Sequence, residues 1–187
     1  VGVLEEGFAW PNAPEEDVDV AVREAASRLA HLGASVKRVS IPAHRQAHHI
    51  WRVIAVEGRT ALMFKGRGMG TNWKGYYTLS LLEAYARGFR EKSHLLSEPV
   101  KLQTLLGEAL LRLYDGRYYA RAQNLALALR QTYDEALAST DVLLMPTTPM
   151  KASLLPDPST SWVDSFPRNL EMTPNTAPFN VTGHPAL

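Results

Sequence analysis

The chain has 187 residues, with 20 Lys and Arg against 19 Asp and Glu, no cysteine and 45% hydrophobic residues. A net charge of +1, with both signs spread along the chain, gives no electrostatic reason to expect a nucleic-acid or membrane-surface partner. Without cysteine there is no disulfide framework, thiolate metal site or cysteine nucleophile, which suits a reducing compartment such as the cytoplasm. The apolar runs, for example Val142–Met145, are far shorter than the roughly 20 residues that span a bilayer. We therefore expect a soluble globular domain.

The first forty residues predict a β-α-β unit. Val1–Leu4 is a short apolar run typical of a buried strand. Acidic residues at 15–17 favour a helix N-terminus, and the apolar residues that follow at 4-3-4-3 spacing line one helix face until Gly33 ends it. Val36–Ile41 predicts a second strand, parallel to the first after a right-handed crossover. The predicted stripe consists of Val18, Val22, Ala25, Leu29 and Leu32.

The middle of the chain predicts helices. A helix from about Ala43 to Lys65 carries Glu57 on its apolar stripe and is followed by the glycine-rich loop 66–75. In the last of the helices, the stripe is Tyr118, Ala122, Leu125 and Leu129. The further predicted helices are about Leu79–Arg90, about Glu98–Tyr114 after an N-cap Ser97, and about Arg117–Leu137.

The last quarter of the chain changes composition. Asp141–Met145 predicts a parallel strand covered on both faces. From Pro146 onward lie eight of the 12 prolines, which predicts a long irregular segment. A short helix around Pro178–Thr182, capped by Thr176 and ended by Gly183, is expected to close that segment.

Two patterns are compatible with ligand binding, but their positions favour structural roles. His44 and His48 have the i, i+4 spacing by which two imidazoles share a metal ion. No acidic residue stands between them and Arg45 would oppose a cation, so a partly exposed helix start is favoured. The loop 66–75 follows a helix, whereas a phosphate-binding glycine loop precedes one, so a surface loop is favoured.

The positions of three polar residues give a stronger reason to consider them for a functional role. A buried Glu57 must be hydrogen-bonded, paired or protonated, and it serves either an active site or, as we favour, a neighbouring backbone. Thr147 and Thr148 directly follow the predicted strand, at the sheet edge where α/β proteins collect ligands. A proline-fixed turn without ligand contact is an equal alternative for these two threonines.

Several segments resemble, in order, the second half of the amidase signature family. Val1–Phe8 resembles the strand that opens that half, and Gly116–Asn124 resembles a Tyr-rich helix start. Asp141–Pro149 and Asn175–Ala186 resemble its late segments. The resemblance implies an α/β fold, part of the amidase-signature fold, with a mixed, largely parallel sheet flanked by helices. Further resemblance to the bacterial amidases that accompany nitrile hydratases lies in His49-Ile50-Trp51, Glu57-Gly58 and Asn72-Trp73-Lys74-Gly75.

The resemblance implies hydrolysis of small carboxamides to carboxylic acid and ammonia through an acyl-enzyme, with no cofactor and no metal. The family's catalytic group is a Ser nucleophile, a second Ser and a Lys, which lie upstream of the strand that Val1 begins. The chain carries no such Ser pair. We therefore expect residues 1–187 to be a C-terminal-half fragment of a single amidase domain, truncated at both ends. On this interpretation the intact protein is an amidase, and the fragment contains no catalytic residue and is inactive alone.

The same resemblance places substrate-binding residues in the chain. Trp51, Met172 and Thr173 are expected to form walls of the acyl pocket, with Thr147 and Thr148 near its rim. An aromatic wall suits an apolar or aromatic acyl group, although Trp51 is equally well explained as core packing.

Two alternatives remain open at this point. In amidotransferase A-type subunits, basic residues tend to occupy the helix resembling Val100–Gly107, where this chain has Leu102 and Gln103. Free small amides are therefore favoured over misacylated tRNA. A non-enzymatic α/β binding module is the other alternative. The expected partner is a small-molecule amide, with no nucleic acid and no membrane, and homodimerisation is left open.

Overall fold

The chain folds as two units, one formed by Val1–Trp51 with Asn124–Leu187 and the other by Arg52–Gln123. The computed structural model describes residues 1–11, 15–70, 75–155, 157 and 159–187, without the side chains of residues 165 and 167–169. Within these ranges no helix has the length and apolar character that crossing a membrane requires.

The first unit contains a small parallel sheet. Its strands are β1 (Gly2–Leu4), β2 (Lys37–Val39) and β3 (Leu143–Leu144), in the order β2-β1-β3. Helix α1 (Glu16–His31) connects β1 to β2, which confirms the predicted β-α-β unit. β3 is shorter than predicted, since Val142 is 52% exposed and lies outside the strand. Both residues of β3 are only half-buried, so the prediction of a strand covered on both faces is wrong in part.

Helix α1 packs through part of the predicted stripe and through one residue outside it. Val22 packs against the buried cluster, and Val18 and Leu29 are half-buried. Ala26 is buried in a cluster with Val3 and Phe8, whereas Ala25 is exposed and Leu32 is 83% exposed. The small side chain of Ala26 lets α1 pack closely against Val3 and Phe8. The buried face of α1 is therefore narrower than the apolar spacing suggests.

Two further helices build the core of the first unit. α2 (His44–Val53) contributes Ala47, and the C-terminal part of α5 (Arg117–Leu137) contributes Leu129 and Tyr133. The predicted α5 stripe is wrong in part: Ala122 and Leu129 are buried, but Tyr118 and Leu125 are 45% and 48% exposed. The core cluster consists of Leu4, Ile41, Ala47, Leu129 and Tyr133.

The second unit is helical. A π-helix (Ile54–Lys65) continues α2 along the chain, and α3 (Leu79–Lys92) and α4 (Glu98–Tyr114) follow. The predicted helix over 43–65 is thus confirmed in extent, although its second half has wider turns than an α-helix. Ser97 occupies the N-cap position of α4, but its carbonyl accepts from Lys101 N and the described structure gives it no side-chain capping bond.

The segment after β3 contains a helix that the sequence did not predict. α6 (Trp162–Glu171) begins at Ser161, whose hydroxyl accepts from Val163 N at 3.2 Å. The proline-rich composition concealed this helix, although the serine cap was a readable signal. α7 (Ala177–Thr182) is the predicted short helix and ends at Gly183, whose φ is +74°. Thr176 stands at its N-cap position without a side-chain capping bond, and its hydroxyl donates to Thr173 O at 3.1 Å.

Candidate functional site

The carboxyl ends of β1 and β2 are joined by the carboxylate of Glu6. This side chain accepts from Ser40 Oγ at 2.6 Å and from Ile41 N at 2.8 Å, so the turn after β1 is fixed to the end of β2. Partial burial raises the pKa of Glu6, but these hydrogen bonds outweigh burial and leave the pKa below its ordinary value. Glu6 is therefore ionised at neutral pH.

The carboxyl ends of β1 and β3 are joined by Asn175, which lies in the turn between α6 and α7. Its Nδ2 donates to Gly7 O at 2.8 Å and to Pro146 O at 2.7 Å. The two segments are in close contact, since a Cβ added at Gly7 would lie 2.6 Å from Met145 Cβ. Asn175 thus bridges the two strand ends at the sheet edge where open α/β proteins bind ligands.

The other side of the Asn175 amide is fixed by two donors. Trp10 Nε1 donates to Oδ1 at 2.8 Å, and His44 Nε2 lies 2.9 Å from the same oxygen. Because an indole nitrogen can only donate, Oδ1 must be the acceptor, and His44 Nε2 must carry a proton. His44 Nδ1 then accepts from the Tyr133 hydroxyl at 2.6 Å. We call Trp10, His44, Tyr133 and Asn175 the Asn175 cluster.

The Asn175 cluster is uncharged and, apart from the half-buried Trp10, it is buried. His44 and Tyr133 are 0% exposed and Asn175 is 1% exposed. Burial lowers the pKa of His44, and the neighbouring Arg45 adds to this, against the opposing effects of Asn175 and Glu6. Burial, with a smaller contribution from Glu6, raises the pKa of Tyr133. Both rings are therefore neutral at neutral pH, and every polar group of the Asn175 amide has a partner.

The backbone between β1 and α1 is held by further side chains. Arg45 Nη2 donates to Phe8 O at 2.5 Å, and Asp19 Oδ2 accepts from Ala9 N at 2.7 Å. Ala9 adopts φ +51°, a left-handed conformation that costs an alanine about 1 kcal/mol. The surrounding hydrogen bonds keep this segment in a strained conformation.

Four of the five predicted rim and wall residues lie close in sequence to Asn175 or to its partner Pro146. Thr147 is exposed, and half-buried Thr148 donates to Met150 O at 2.9 Å. Met172 and Thr173 are half-buried, with Thr173 Oγ1 donating to Leu170 O at 2.8 Å. Among the described residues no hydrogen bond joins one pair to the other. Asn175 brings their segments together instead, since it follows Thr173 by two residues and binds the carbonyl directly before Thr147.

Trp51 is half-buried in α2, two helical turns beyond His44. In the described ranges no hydrogen bond or ring contact joins Trp51 to the threonines or to Met172. Its place in the acyl pocket therefore remains a prediction.

The histidine pair at the start of α2 is not arranged as the sequence suggested. His44 is fully buried, not partly exposed, because Tyr133 and Asn175 occupy both of its ring nitrogens. The rings of His48 and His49 lie 3.9 Å apart between centroids. The part of the chain that the structure describes contains no group of three or more His, Cys, Asp or Glu that could hold a metal ion.

Glu57 has the structural role that the sequence favoured. It is 1% exposed, and its Oε2 accepts from Tyr119 N at 3.2 Å, in the first turn of α5. A carboxylate at a helix N-terminus satisfies a free N–H group and interacts favourably with the positive end of the helix dipole. The prediction that Glu57 anchors neighbouring backbone is confirmed within the second unit.

Other sequence predictions in the second unit have mixed outcomes. Gly68 and Gly70 adopt positive φ in a turn, and Gly70 N donates to Tyr77 OH at 2.8 Å. Trp73, with the rest of 71–74, lies outside the described residues. Gln103, which stands where amidotransferase subunits tend to be basic, accepts from the Arg59 guanidinium.

The comparison with protein families matches residues 1–187 to the family described as Amidase. The chain belongs to the amidase family. It is 41% identical over 187 residues to an enantioselective amidase of Rhodococcus rhodochrous, covering 100% of this chain and 36% of that protein. It is also 42% identical over 141 residues to an uncharacterized protein in the nthA 5' region of Rhodococcus erythropolis, covering 75% of this chain and 71% of that protein. These relatives agree with the subgroup that the sequence motifs indicated.

A more distant relative is the A-type subunit of the glutamyl-tRNA(Gln) amidotransferase from Acaryochloris marina, 28% identical over 188 residues. That match covers 100% of this chain and 37% of that protein. The amidase-family chain therefore spans about a third of the length of the enantioselective amidase and of the amidotransferase protein. The lower identity makes the amidotransferase alternative the weaker one.

The sequence did not single out Asn175, Trp10 or Tyr133. Asn175 lies 131 residues from His44 and 165 from Trp10 along the chain, so local spacing could not connect them. The available signal was positional and covered only the direct partners of Asn175: Trp10 and Pro146 follow predicted strands, and His44 begins a predicted helix. Tyr133, near the end of a predicted helix, had no such signal.

Proposed function

We propose that the protein containing this chain hydrolyses small carboxamides to the carboxylic acid and ammonia. The observation that carries this proposal is the 41% identity to an enantioselective amidase across the whole chain. Free amides are preferred over misacylated tRNA as substrates because the amidotransferase protein is the more distant relative. Cytoplasmic location and homodimerisation remain predictions.

The proposed mechanism proceeds through an acyl-enzyme. A Ser hydroxyl attacks the amide carbonyl, and its proton passes through a second Ser to a Lys kept neutral by burial. That proton is then returned to the amide nitrogen as the C–N bond breaks, so ammonia leaves and the acyl ester remains. Water then hydrolyses the acyl ester. We place all three catalytic residues outside this chain, since the chain spans about a third of the enantioselective amidase and carries no matching Ser pair.

In this proposal the chain contributes part of the acyl pocket. Trp51, Met172 and Thr173 form its walls, and Thr147 and Thr148 lie at its rim. Support comes from Asn175, which joins the segments that carry the last four of these residues at the carboxyl edge of the sheet.

The test compares the intact gene product with the 187-residue chain, using ammonia release from benzamide and propionamide. We expect turnover by the intact protein and none by the chain alone. Trp51→Ala in the intact protein should raise KM for benzamide more than for propionamide, with Trp162→Ala as a matched loss of an exposed tryptophan. An intact protein that releases no ammonia from either amide, or an active isolated chain, would contradict the proposal.

A further inference from the structure

Asn175 has more contacts than anchoring a turn requires. It satisfies four polar partners from three separate parts of the chain, at 2.7 to 2.9 Å, while 1% exposed. Its two donors go to carbonyls that follow different strands, and its oxygen receives both remaining hydrogen bonds. Because all four hydrogen-bonding positions of the amide are occupied, it can adopt one orientation only. Rotating it by 180° would place its N–H groups against the donors of Trp10 and His44.

The segments that Asn175 bridges have few regular hydrogen bonds of their own. The ladder of β3 ends at Leu144, two residues before Pro146, and proline has no N–H to donate. On the other side, the backbone after Gly7 leads into the strained Ala9. The separation of these two segments is therefore set by a side chain and by the close packing of Gly7 against Met145.

We propose that Asn175 is a positioning residue that sets the shape of the acyl-pocket rim by holding the segments after β1 and β3 at a fixed separation. This inference rests on the proposed function for its catalytic meaning. Asn175 reaches Thr147 through the carbonyl of Pro146, and it orders Thr173 because the two lie in one turn. Trp10 and His44 orient Asn175, and Tyr133 orients His44, so these rings act one step further from the rim.

Asn175→Asp separates the bridging contacts from the packing. Aspartate has almost the same shape and keeps an oxygen for Trp10 and His44, but it replaces two donated hydrogen bonds with repulsion between its oxygen and two carbonyls. Asn124→Asp makes the same chemical change at an exposed position on α5 and is the matched control. Trp10→Phe is a milder variant, since it removes only one of the two donors that orient the Asn175 oxygen.

The first measurement is amide hydrogen exchange on the intact protein, and it needs no enzymatic activity. For Asn175→Asp we expect exchange at Phe8 and Ala9 to accelerate by about tenfold or more, because the buried carbonyls of Gly7 and Pro146 lose their donor. The centre of α1, around Ala26, should change little. Equal acceleration in α1 would indicate general destabilisation and would overturn the positioning role, as would unchanged exchange at Phe8 and Ala9.

The second measurement is steady-state kinetics of the intact protein. Asn175→Asp should raise KM for benzamide by about tenfold, and for propionamide less, with kcat changed little. Trp10→Phe should raise KM by a smaller factor. If Asn175→Asp does not fold, the KM of Trp10→Phe tests the positioning role instead. A loss of kcat with unchanged KM would overturn the inference. If the wild-type protein hydrolyses no amide, the proposed function fails, and the exchange experiment alone decides the role of Asn175.

Discussion

The Tyr133 hydroxyl donates to His44 Nδ1 at 2.6 Å, and this bond fixes which nitrogen of the imidazole carries its proton. The Nε2–H that results points at Asn175 Oδ1. A neutral histidine thereby acts as a connector between α5 and the turn before α7, and its protonation state has consequences for stability.

We expect the chain to lose stability as the pH falls below about 6.5. Burial lowers the pKa of His44 in the folded protein from an ordinary value of 6.5, so the unfolded chain takes up this proton first. The stabilising contribution of neutral His44 is complete above the ordinary pKa and decreases as the pH falls towards the lowered one. Urea unfolding at pH 7.5, 6.5 and 5.5 measures this slope.

His44→Gln should make that slope shallower, because glutamine can donate to Asn175 and does not titrate. At pH 7.5 the substitution should lower the free energy of unfolding by about 1–3 kcal/mol, since Tyr133 loses its buried acceptor. His31→Gln, at an exposed position on α1, is the control. An identical pH slope in wild type and His44→Gln would show that His44 does not cause the pH dependence of stability.

Gly107→Ala should destabilise the second unit. A Cβ at this position would lie 2.3 Å from Thr60 Oγ1 and 2.5 Å from Val56 O, so α4 would have to move away from the π-helix. Overpacking of this kind costs about 1–3 kcal/mol.

Gly88→Ala in α3 is the matched control, because a Cβ there meets nothing within 4 Å. That variant should be neutral or stabilising by up to about 1 kcal/mol, since alanine is the better helix former. Thermal unfolding of the two variants should shift in opposite directions, and equal shifts would argue against close packing at Gly107.

Glu57→Ala should weaken the first turn of α5. The variant removes the acceptor for Tyr119 N and should lower the free energy of unfolding by about 1–3 kcal/mol. Glu57→Gln keeps an acceptor oxygen and should lose less. Exchange of the Tyr119 amide reports the bond directly, and protection that survives Glu57→Ala would show that another group holds this turn.

Gln103→Lys should destabilise the second unit more than Gln103→Met does. Gln103 accepts from Arg59, whose pKa is lowered by burial, and a second cation at this place would repel the guanidinium. The free energy of unfolding of Gln103→Lys should be about 1 kcal/mol lower than that of Gln103→Met at low salt. This difference should shrink at about 0.5 M NaCl because charge repulsion is screened. A salt-independent difference between the two variants would contradict this explanation.

Local patterns predicted the β-α-β start and the helices because apolar spacing, caps and glycine stops depend on neighbours in sequence. The π-helix was not predicted, since its wider turns leave no distinct residue pattern. α6 was missed because its proline-rich surroundings outweighed the Ser161 cap. The Asn175 cluster could not be predicted because each of its bonds joins residues distant in the chain.

The sheet order has a consequence for how the chain folds. β1 is the central strand, yet one of its partners is β2 at residue 37 and the other is β3 at residue 143. During synthesis the ribosome adds about 5–20 residues per second, so one edge of β1 remains unpaired for several seconds after β2 has formed. The unit at 52–123 is made entirely within that interval. Because such long loops close slowly, β3 joining β1 is the step we expect to limit the folding rate.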